Sequence, residues 1–420
     1  MSPAAAPRPA GPRFGPFRAV RYAPGTDLDA VAAPPYDVLS EADVAALRAR
    51  HAANIVHLDI PAGTGQGRYA ASAHLLRQWL QAGVLVRDER PSLTIYRMRF
   101  TDESGARREL VGVLGALEVV PEGAGRVLPH ERTTPKASTD RLDLTRATEA
   151  NLSPVWGLSL ARGLTEALAE PGEPMGSLTV DGVAHVVERV TDPARLAAIC
   201  EVVGADDVLI ADGHHRYGVA RAFDRECRTA GSSLAGTGAT LAFVGELVAD
   251  QLAIDAIHRI VRGVDLADLT RLLSRDFDIG PGPAVTPAVL PELVRTGRLL
   301  LVESPDRSWW LAPREGAFAG VRALDGAWLE HSLAESAVVL DYQHGVAEVL
   351  EVLAADPTAR AAVLIRPTSL QEIERTAREG VLMPPKSTFF TPKLRTGLVL
   401  RLLDEEPGAT LGSTVVDDHR

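Results

Sequence analysis

The residues best suited to chemistry in this 420-residue chain stand together at Asp212-Gly213-His214-His215-Arg216. They follow the apolar run Val208-Leu209-Ile210-Ala211 and precede a stretch of helical character from Tyr217 to Arg228. A strand-to-helix turn presents backbone N–H groups and the positive end of a helix dipole, so an oxyanion docks there without a dedicated side chain. Gly213 lets the main chain approach closely, and Arg216 offers a planar donor fork for phosphate. His214 and His215 can donate to phosphate oxygens or exchange a proton. Asp212 is the candidate Mg²⁺ ligand. The bland reading is a polar helix start with solvated histidines. A zinc site is disfavoured, because two adjacent side chains seldom face one ion and no third ligand follows at helical spacing.

A second constellation lies at His130-Glu131-Arg132-Thr133 with Lys136, Asp140 and Arg141. Phosphoryl transfer needs a carboxylate to take the proton of the attacking hydroxyl, and cations around the phosphoryl oxygens. Glu131 is the candidate base, and Lys136 and Arg141 are candidate phosphate clamps. The same residues suit an exposed charged loop entering a helix, with Asp140 near its cap. Asp37, behind Pro34-Pro35-Tyr36, is a further catalytic candidate, or it bonds to its own backbone in a rigid turn. Whether Glu131 or Asp37 is the base stays open at this point. Lys386-Ser387-Thr388-Phe389-Phe390 and Lys393 supply two cations beside aromatic faces, suited to an adenine or a phosphate tail, or to a loop that packs its Phe pair inward. Asp341-Tyr342-Gln343-His344 is expected on a helix. Cys200 and Cys227 have no activating neighbour, which leaves thiol chemistry little support.

These residues need elements to place them. Ser40 is expected as an N-cap, with Glu41 and Asp43 in the first turn of a helix reaching about Ala52. Asn54–Ile60 reads as a strand, and Tyr69–Ala82 as a helix stopped by Gly83. Leu93–Thr101 and Glu109–Val119 alternate as a hairpin, as do 177–190 and Leu299–Ala312. Helices are expected up to about Ala150, over Leu196–Val203, Asp265–Ser274, 335–355 and 369–379, and a buried strand over Thr240–Asp250. The expected fold is α+β with a mixed sheet. The divisions are a disordered tail 1–15, an N-terminal α/β region 16–125, a core 126–278, a C-terminal α/β region 279–403 and a flexible tail 404–420. The cluster Gly280-Pro281-Gly282-Pro283 marks the expected subdomain edge.

Composition narrows the partners. A formal charge of −11 disfavours non-specific binding to nucleic acid or anionic lipid, which needs a basic surface. No apolar run has the length of a membrane span or a signal core, and two cysteines are too few for a disulfide framework, so a cytoplasmic location is expected. Homodimer formation stays open.

Several segments resemble the family called domain of unknown function 1015. They are Ala33-Pro34-Pro35-Tyr36-Asp37-Val38, Pro129-His130-Glu131-Arg132-Thr133 with Asp140-Arg141-Leu142, Asn151-Leu152-Ser153-Pro154, Ala211 to Tyr217, and Pro385 to Lys393 with Thr396-Gly397-Leu398. They run in the family's order from about residue 14 to 403. His258-Arg259 is similar to the family's Thr-His-Arg turn, with different neighbours. The Asp212–Arg216 turn is also similar to the Gly-x-x-Arg box of the ParB and sulfiredoxin superfamily, which includes kinases of free L-serine. The resemblance implies a ParB/sulfiredoxin-like nucleotide-binding core wrapped by N- and C-terminal segments. It implies a phosphotransferase using ATP or ADP with Mg²⁺ on a small hydroxylated metabolite, with L-serine becoming O-phosphoserine. Two alternatives stand beside it: a ParB-like nucleotide-binding regulatory module without transfer, and a metal-dependent hydrolase using Asp212, His214 and His215.

Overall fold

The alternation along Leu93–Thr101 and Arg107–Glu118 produces the expected antiparallel hairpin, in register from Thr94↔Leu114 to Thr101↔Arg107. In the computed structural model, which describes residues 11–102, 105–121, 123–131, 135–384 and 386–407, this hairpin is the middle of a nine-stranded sheet. From one edge the order is Val127–Leu128, Val208–Asp212, Val155–Ser159, Ala239–Glu246, Arg107–Glu118, Leu93–Thr101, Val183–Val190 and Glu173–Val180, with Phe14–Gly15 also on Arg107–Glu118. Val208–Asp212 runs parallel to Val127–Leu128, and Ala239–Glu246 parallel to Val155–Ser159, while the remaining pairs are antiparallel. The sheet is therefore mixed, as expected.

Contacts divide the chain into two compact units. The first holds 1–129, 133–252 and 392–420; the second holds 130–132 and 253–391. No unit boundary falls at 125 or 278: Val127–Leu128 belongs to the first sheet, and Phe277–Pro281 is a strand of the second unit. Gly280 and Pro281 thus sit within a sheet instead of marking an edge.

In the first unit, Leu196, Ile199 and Val203 of the helix Pro193–Val203 pack with Val208, Ile210, Val155 and Val244 of the sheet. A second cluster joins Val20, Leu47, Ile55, Leu58, Leu76, Trp79, Leu144 and Leu400. The helix Glu41–Arg50 starts on the capping box in which the Ser40 hydroxyl and the Asp43 carboxylate serve each other's backbone N–H. Asn54–Ile60 departs from expectation, since Val56–Asp59 is a helical turn. The Asn54 side-chain oxygen accepts from the Val56 N–H at 3.0 Å and its amide donates to the Ala30 carbonyl at 2.8 Å. That local bond favours a turn over a ladder. Of the expected tail 1–15, residues 14–15 pair with Leu117 and Ala116, and the Gly11 N–H donates to the Gly204 carbonyl at 2.9 Å; 1–10 lie outside the described residues. Asp404 is clasped by Arg87 at 2.7 Å, and 408–420 lie outside the described residues.

The second unit's sheet is wholly antiparallel, in the order Phe277–Pro281, Arg307–Pro313, Leu299–Ser304, Ala361–Leu364, Ile257–Arg262 and Val339–His344. Period two sorts its side chains onto two apolar faces. Leu299, Leu301, Val261 and Val363 meet Leu269, Leu273, Leu329 and Leu333 from one set of helices. Leu300, Val302, Ile260, Ala362 and Leu364 meet Leu293, Val346 and Val349 from the other. Residues 339–344, expected as helix, form an edge strand on Ile257–Arg262; Gly345, at φ 76°, separates it from the helix Val346–Ala355. His258-Arg259 likewise lies within a strand, not a turn. Among the described residues no helix is long and apolar enough to cross a membrane.

Burial keeps two histidines neutral, His185 in the first unit and His258 in the second. His185 lies 2.8 Å from the Tyr96 hydroxyl, and burial, helped by Arg395, lowers its pKa to about 4. His258 accepts from the Ile365 N–H at 3.2 Å, and burial ahead of Arg259 and His344 lowers it to about 3. Both values are depressed in the fold, so the unfolded chain takes up these protons first as pH falls. Each contributes stability that is complete above about pH 6.5 and is lost on acidification towards its folded value. We expect His185→Gln to flatten the decline of the urea midpoint between about pH 6.5 and 4, removing up to roughly 3 kcal/mol of pH dependence.

Candidate functional site

The strand Val208–Asp212 is buried through Ala211 and delivers Asp212 at its end. Gly213 follows at φ 86° and ψ 29° as the N-cap, with no side chain of its own to cap the turn, and the helix His214–Ala230 begins directly after it. A side chain is excluded at 213 on two counts. The backbone is left-handed, and a Cβ would lie 3.1 Å from Arg216 Nε and 3.3 Å from Val155 Cα. The turn is thus pressed between a neighbouring strand and its own arginine.

Asp212 is the electrostatic centre of this bend. Its Oδ1 accepts from Lys393 Nζ at 2.9 Å and its Oδ2 from Arg216 Nη2 at 2.6 Å. Burial alone would raise its pKa, but Lys393 and Arg216, with His214, outweigh it and hold the carboxyl well below the usual range. Arg216 is 9% exposed and also donates from Nη1 to the Pro154 carbonyl. Its Nε, buried against Gly213, has no hydrogen-bond partner. Burial works against the guanidinium charge, yet Asp37 and Asp212, then Tyr36 and Asp59, hold its pKa above the ordinary value. Asp37, on the one-turn helix Tyr36–Val38, lies 3.6 Å from Arg216 with about a third of its side chain exposed.

These contacts change the expected roles. Arg216 was expected to grip phosphate with a free fork; instead the fork braces the bend to Asp212 and Pro154. That bond also explains why Asn151-Leu152-Ser153-Pro154 belongs with the turn, a link its polarity did not disclose. Arg141, expected as a clamp, has Nε and Nη2 on Asp140 at 2.9 and 2.6 Å, Nη1 on the Asp59 carbonyl at 2.6 Å, and its guanidinium 4.2 Å from the Tyr36 ring centroid. The buried Asp59, raised above its ordinary pKa by desolvation against the pull of Arg141, was not singled out by sequence. Tyr36, pushed up to about 12 by burial, is the aromatic face under Arg141. The cavity bounded by Arg216, Arg141, Asp59 and Ser153 holds only about 50 Å³, room for a water or two. A wider groove of about 360 Å³ opens along Tyr36, Ser40, Arg48, Ile60 and Arg141. His214 and His215 are half-buried at the helix start.

The structure brings Asp37, Asp212, Gly213, His214, His215, Arg216 and Lys393 into the first unit, with Arg141 nearby. Lys136 lies on the helix Pro135–Thr148, and its side chain lies outside the described residues, as do Arg132, Thr133 and Pro385. Glu131 and Lys386 belong to the second unit. There the Glu131 carboxylate accepts from the Lys386 N–H at 2.8 Å and the Ser387 N–H at 3.2 Å, and Lys386 sits at φ 58°. The Phe pair divides: Phe390 is buried at 1% exposure and Phe389 begins the strand Phe389–Thr391. Among the described residues no group of three or more His, Cys, Asp or Glu is placed to hold a metal ion. Asp212 does not fit a Mg²⁺ ligand, because both of its oxygens already serve cations. The hydrolase alternative, which needs Asp212, His214 and His215 on one ion, is not borne out by this geometry.

The dependence of the bend on one carboxylate is measurable. We expect Asp212→Asn to leave Lys393 and Arg216 without their counter-charge and to lower unfolding stability by on the order of 3 kcal/mol at pH 7, read by urea denaturation. Because the folded pKa is depressed, this difference should persist down to about pH 4 and shrink below it.

No curated protein sequence matches this chain. Solved structures with a similar arrangement include a free serine kinase (E30A mutant) in complex with ADP, at 13% identity and a TM-score of 0.37 over 65% of this chain and 89% of that one. Another is a conserved hypothetical protein from Pyrococcus furiosus, at 11% identity and TM-score 0.36 over 65% and 92%. A third is SbnI with a C-terminal truncation from Staphylococcus aureus, at 13% and 0.37 over 72% and 90%. The family described as protein of unknown function (DUF1015) matches residues 14–344, a span that includes the turn 212–216, and the chain belongs to it.

Proposed function

We propose that the first unit is a nucleotide-dependent phosphotransferase acting on a small hydroxylated metabolite, with ATP or ADP as donor and free L-serine as the first acceptor to test. The reading rests on one observation: a left-handed Gly213, an N-cap without a side chain, opens a 17-residue helix beside two cations, Lys393 and Arg216, both bonded to one carboxylate. Backbone N–H groups at a helix start and an adjacent ammonium are suited to the oxygens of a nucleotide's terminal phosphates. We read the turn as a cradle of the ParB/sulfiredoxin kind. Lys393, His214 and His215 touch the phosphates in this reading, whereas Arg216 and Asp212 position them. Fixed cations stabilise charge on a transferring phosphoryl group without reorganising at the moment of reaction.

Asp37 is the proposed proton acceptor of the first unit. It is partly exposed and stands 3.6 Å from Arg216. In this reading the acceptor occupies the groove lined by Tyr36, the chain neighbour of Asp37, and Ser40, whose volume of about 360 Å³ suits a metabolite of amino-acid size. Mg²⁺ supplies further charge neutralisation in many phosphoryl transfers. Since Asp212 does not fit such an ion, no step is assigned to it here.

Incubation of the full chain with ATP or ADP, L-serine and Mg²⁺ should yield O-phosphoserine, detected by mass spectrometry. Asp37→Asn should lower kcat by roughly 10²–10⁴ with nucleotide binding retained, and Lys393→Met should weaken nucleotide binding by about ten- to a hundredfold. Turnover unchanged in Asp37→Asn but lost in Glu131→Gln would move the base to Glu131. Tight nucleotide binding without transfer to any amino acid or polyol would favour the regulatory module instead.

A further inference from the structure

The second unit buries an arginine that lacks a counter-charge. Arg259, on the strand Ile257–Arg262, is 2% exposed. Among the described residues no carboxylate lies within salt-bridge distance of it. Its Nη1 donates to the carbonyls of Ile257 and, at 3.2 Å, Lys386, and its guanidinium rests 4.8 Å from the centroid of the Tyr342 ring. Burial lowers its pKa from the ordinary arginine value, against weaker support from Tyr342, Glu330, Glu131 and Asp325. A buried cation held only by carbonyls and a ring face leaves most of its desolvation uncompensated.

That arginine lines a cavity of about 270 Å³ together with Gly326, Arg366, Thr368, Ser369 and Ser387. The lining carboxylates are already neutralised. Asp325 is bracketed by Arg366 through Nε at 3.1 Å and the backbone N–H at 2.8 Å, and Glu372 pairs with Arg322 and Arg375. Gly326 keeps the guanidinium edge clear, since a Cβ there would lie 3.0 Å from Arg259 Nη2. The loop on the far side is held in shape by Glu131 on the Lys386 and Ser387 amides and by the Thr368 hydroxyl on the Ser387 carbonyl at 3.0 Å. Held walls, hydroxyls and one unbalanced buried cation are the composition of an oxyanion site.

We propose that the second unit binds a compact oxyanion, the phosphate or carboxylate group of a small metabolite, in this cavity against Arg259. The lining belongs wholly to the second unit, whereas the turn 212–216 belongs to the first, and the volume lies at the lower edge of ligand pockets. Its ligand completes the charge of Arg259 and bonds to the Nη2 edge that Gly326 leaves open.

Isothermal titration of the full chain at fixed ionic strength, with inorganic phosphate in one arm and malonate in the other, tests this. Saturable binding of at least one is expected, and the arms tell which group is preferred. Arg259→Gln should weaken that binding by about ten- to a hundredfold. Gly326→Ala keeps the charge and crowds its edge, and should also weaken it, which decides the matter if Arg259→Gln fails to fold by circular dichroism. Arg271→Gln, at an exposed position of the second unit outside the cavity lining, should leave it unchanged. The proposal is overturned if neither anion binds saturably, if Gly326→Ala and a folded Arg259→Gln both bind as the parent does, or if Arg271→Gln weakens binding as much as Arg259→Gln. Phosphotransfer to L-serine is read separately and does not depend on these outcomes.

Discussion

A single carboxylate shared by two cations organises the first unit. Asp212 ends an apolar strand and meets Lys393, which is 181 residues away in sequence, and Arg216, one helical turn ahead. Removing three charges from water is unfavourable unless each finds the others at hydrogen-bond range, so the arrangement specifies where all three elements must stand. The returning segment 392–407, the strand 208–212 and the helix 214–230 are tied at one point, beside a glycine whose backbone only glycine adopts without strain.

Arginines elsewhere follow two patterns. Arg141 and Arg216 are engaged by Asp140, Asp59, Asp212 and backbone carbonyls, and serve as rivets between segments distant in sequence. Arg21, buried beneath Asp88, Ser92 and Thr94, belongs with them. Two buried arginines differ: Arg401 in the first unit is met by the carbonyls of Ala239 and Gly236 and by Asn151, and Arg259 in the second has carbonyls and a ring but no carboxylate at salt-bridge distance among the described residues. Composition treats these arginines alike. A guanidinium matched within the protein has little left to offer a ligand, whereas an unmatched one retains both charge and donors.

Glu131 illustrates how a polar motif acquires meaning from packing. On its own it reads as a base near a hydroxylated substrate. In the fold its two oxygens accept the N–H groups of Lys386 and Ser387, shaping a loop in which Lys386 takes a left-handed conformation uncommon for a side-chain-bearing residue. The loop's carbonyls in turn receive Arg259 and Thr368. A carboxylate and a lysine that look like two catalytic parts are joined through the lysine's backbone.

The amino-acid sequence by itself determined the local elements: the capped helix at Ser40, the hairpins, the strand-turn-helix around Gly213 and the family to which the chain belongs. Periodicity, caps and glycines act over a few residues, so they are legible without the fold. Short apolar runs were not, because Asn54–Ile60 and 339–344 carry too few periods to separate helix from strand, and a side-chain cap at Asn54 and a sheet edge at Ile257–Arg262 decided them. Tertiary structure alone decided that Arg216 braces rather than grips, that Lys393 returns to Asp212, that Glu131 clasps a loop, and that the chain is divided at 252/253 and 391/392. Each of these depends on which charge lies within about 3 Å of which other once water is excluded, and that distance is set by packing between segments up to hundreds of residues apart.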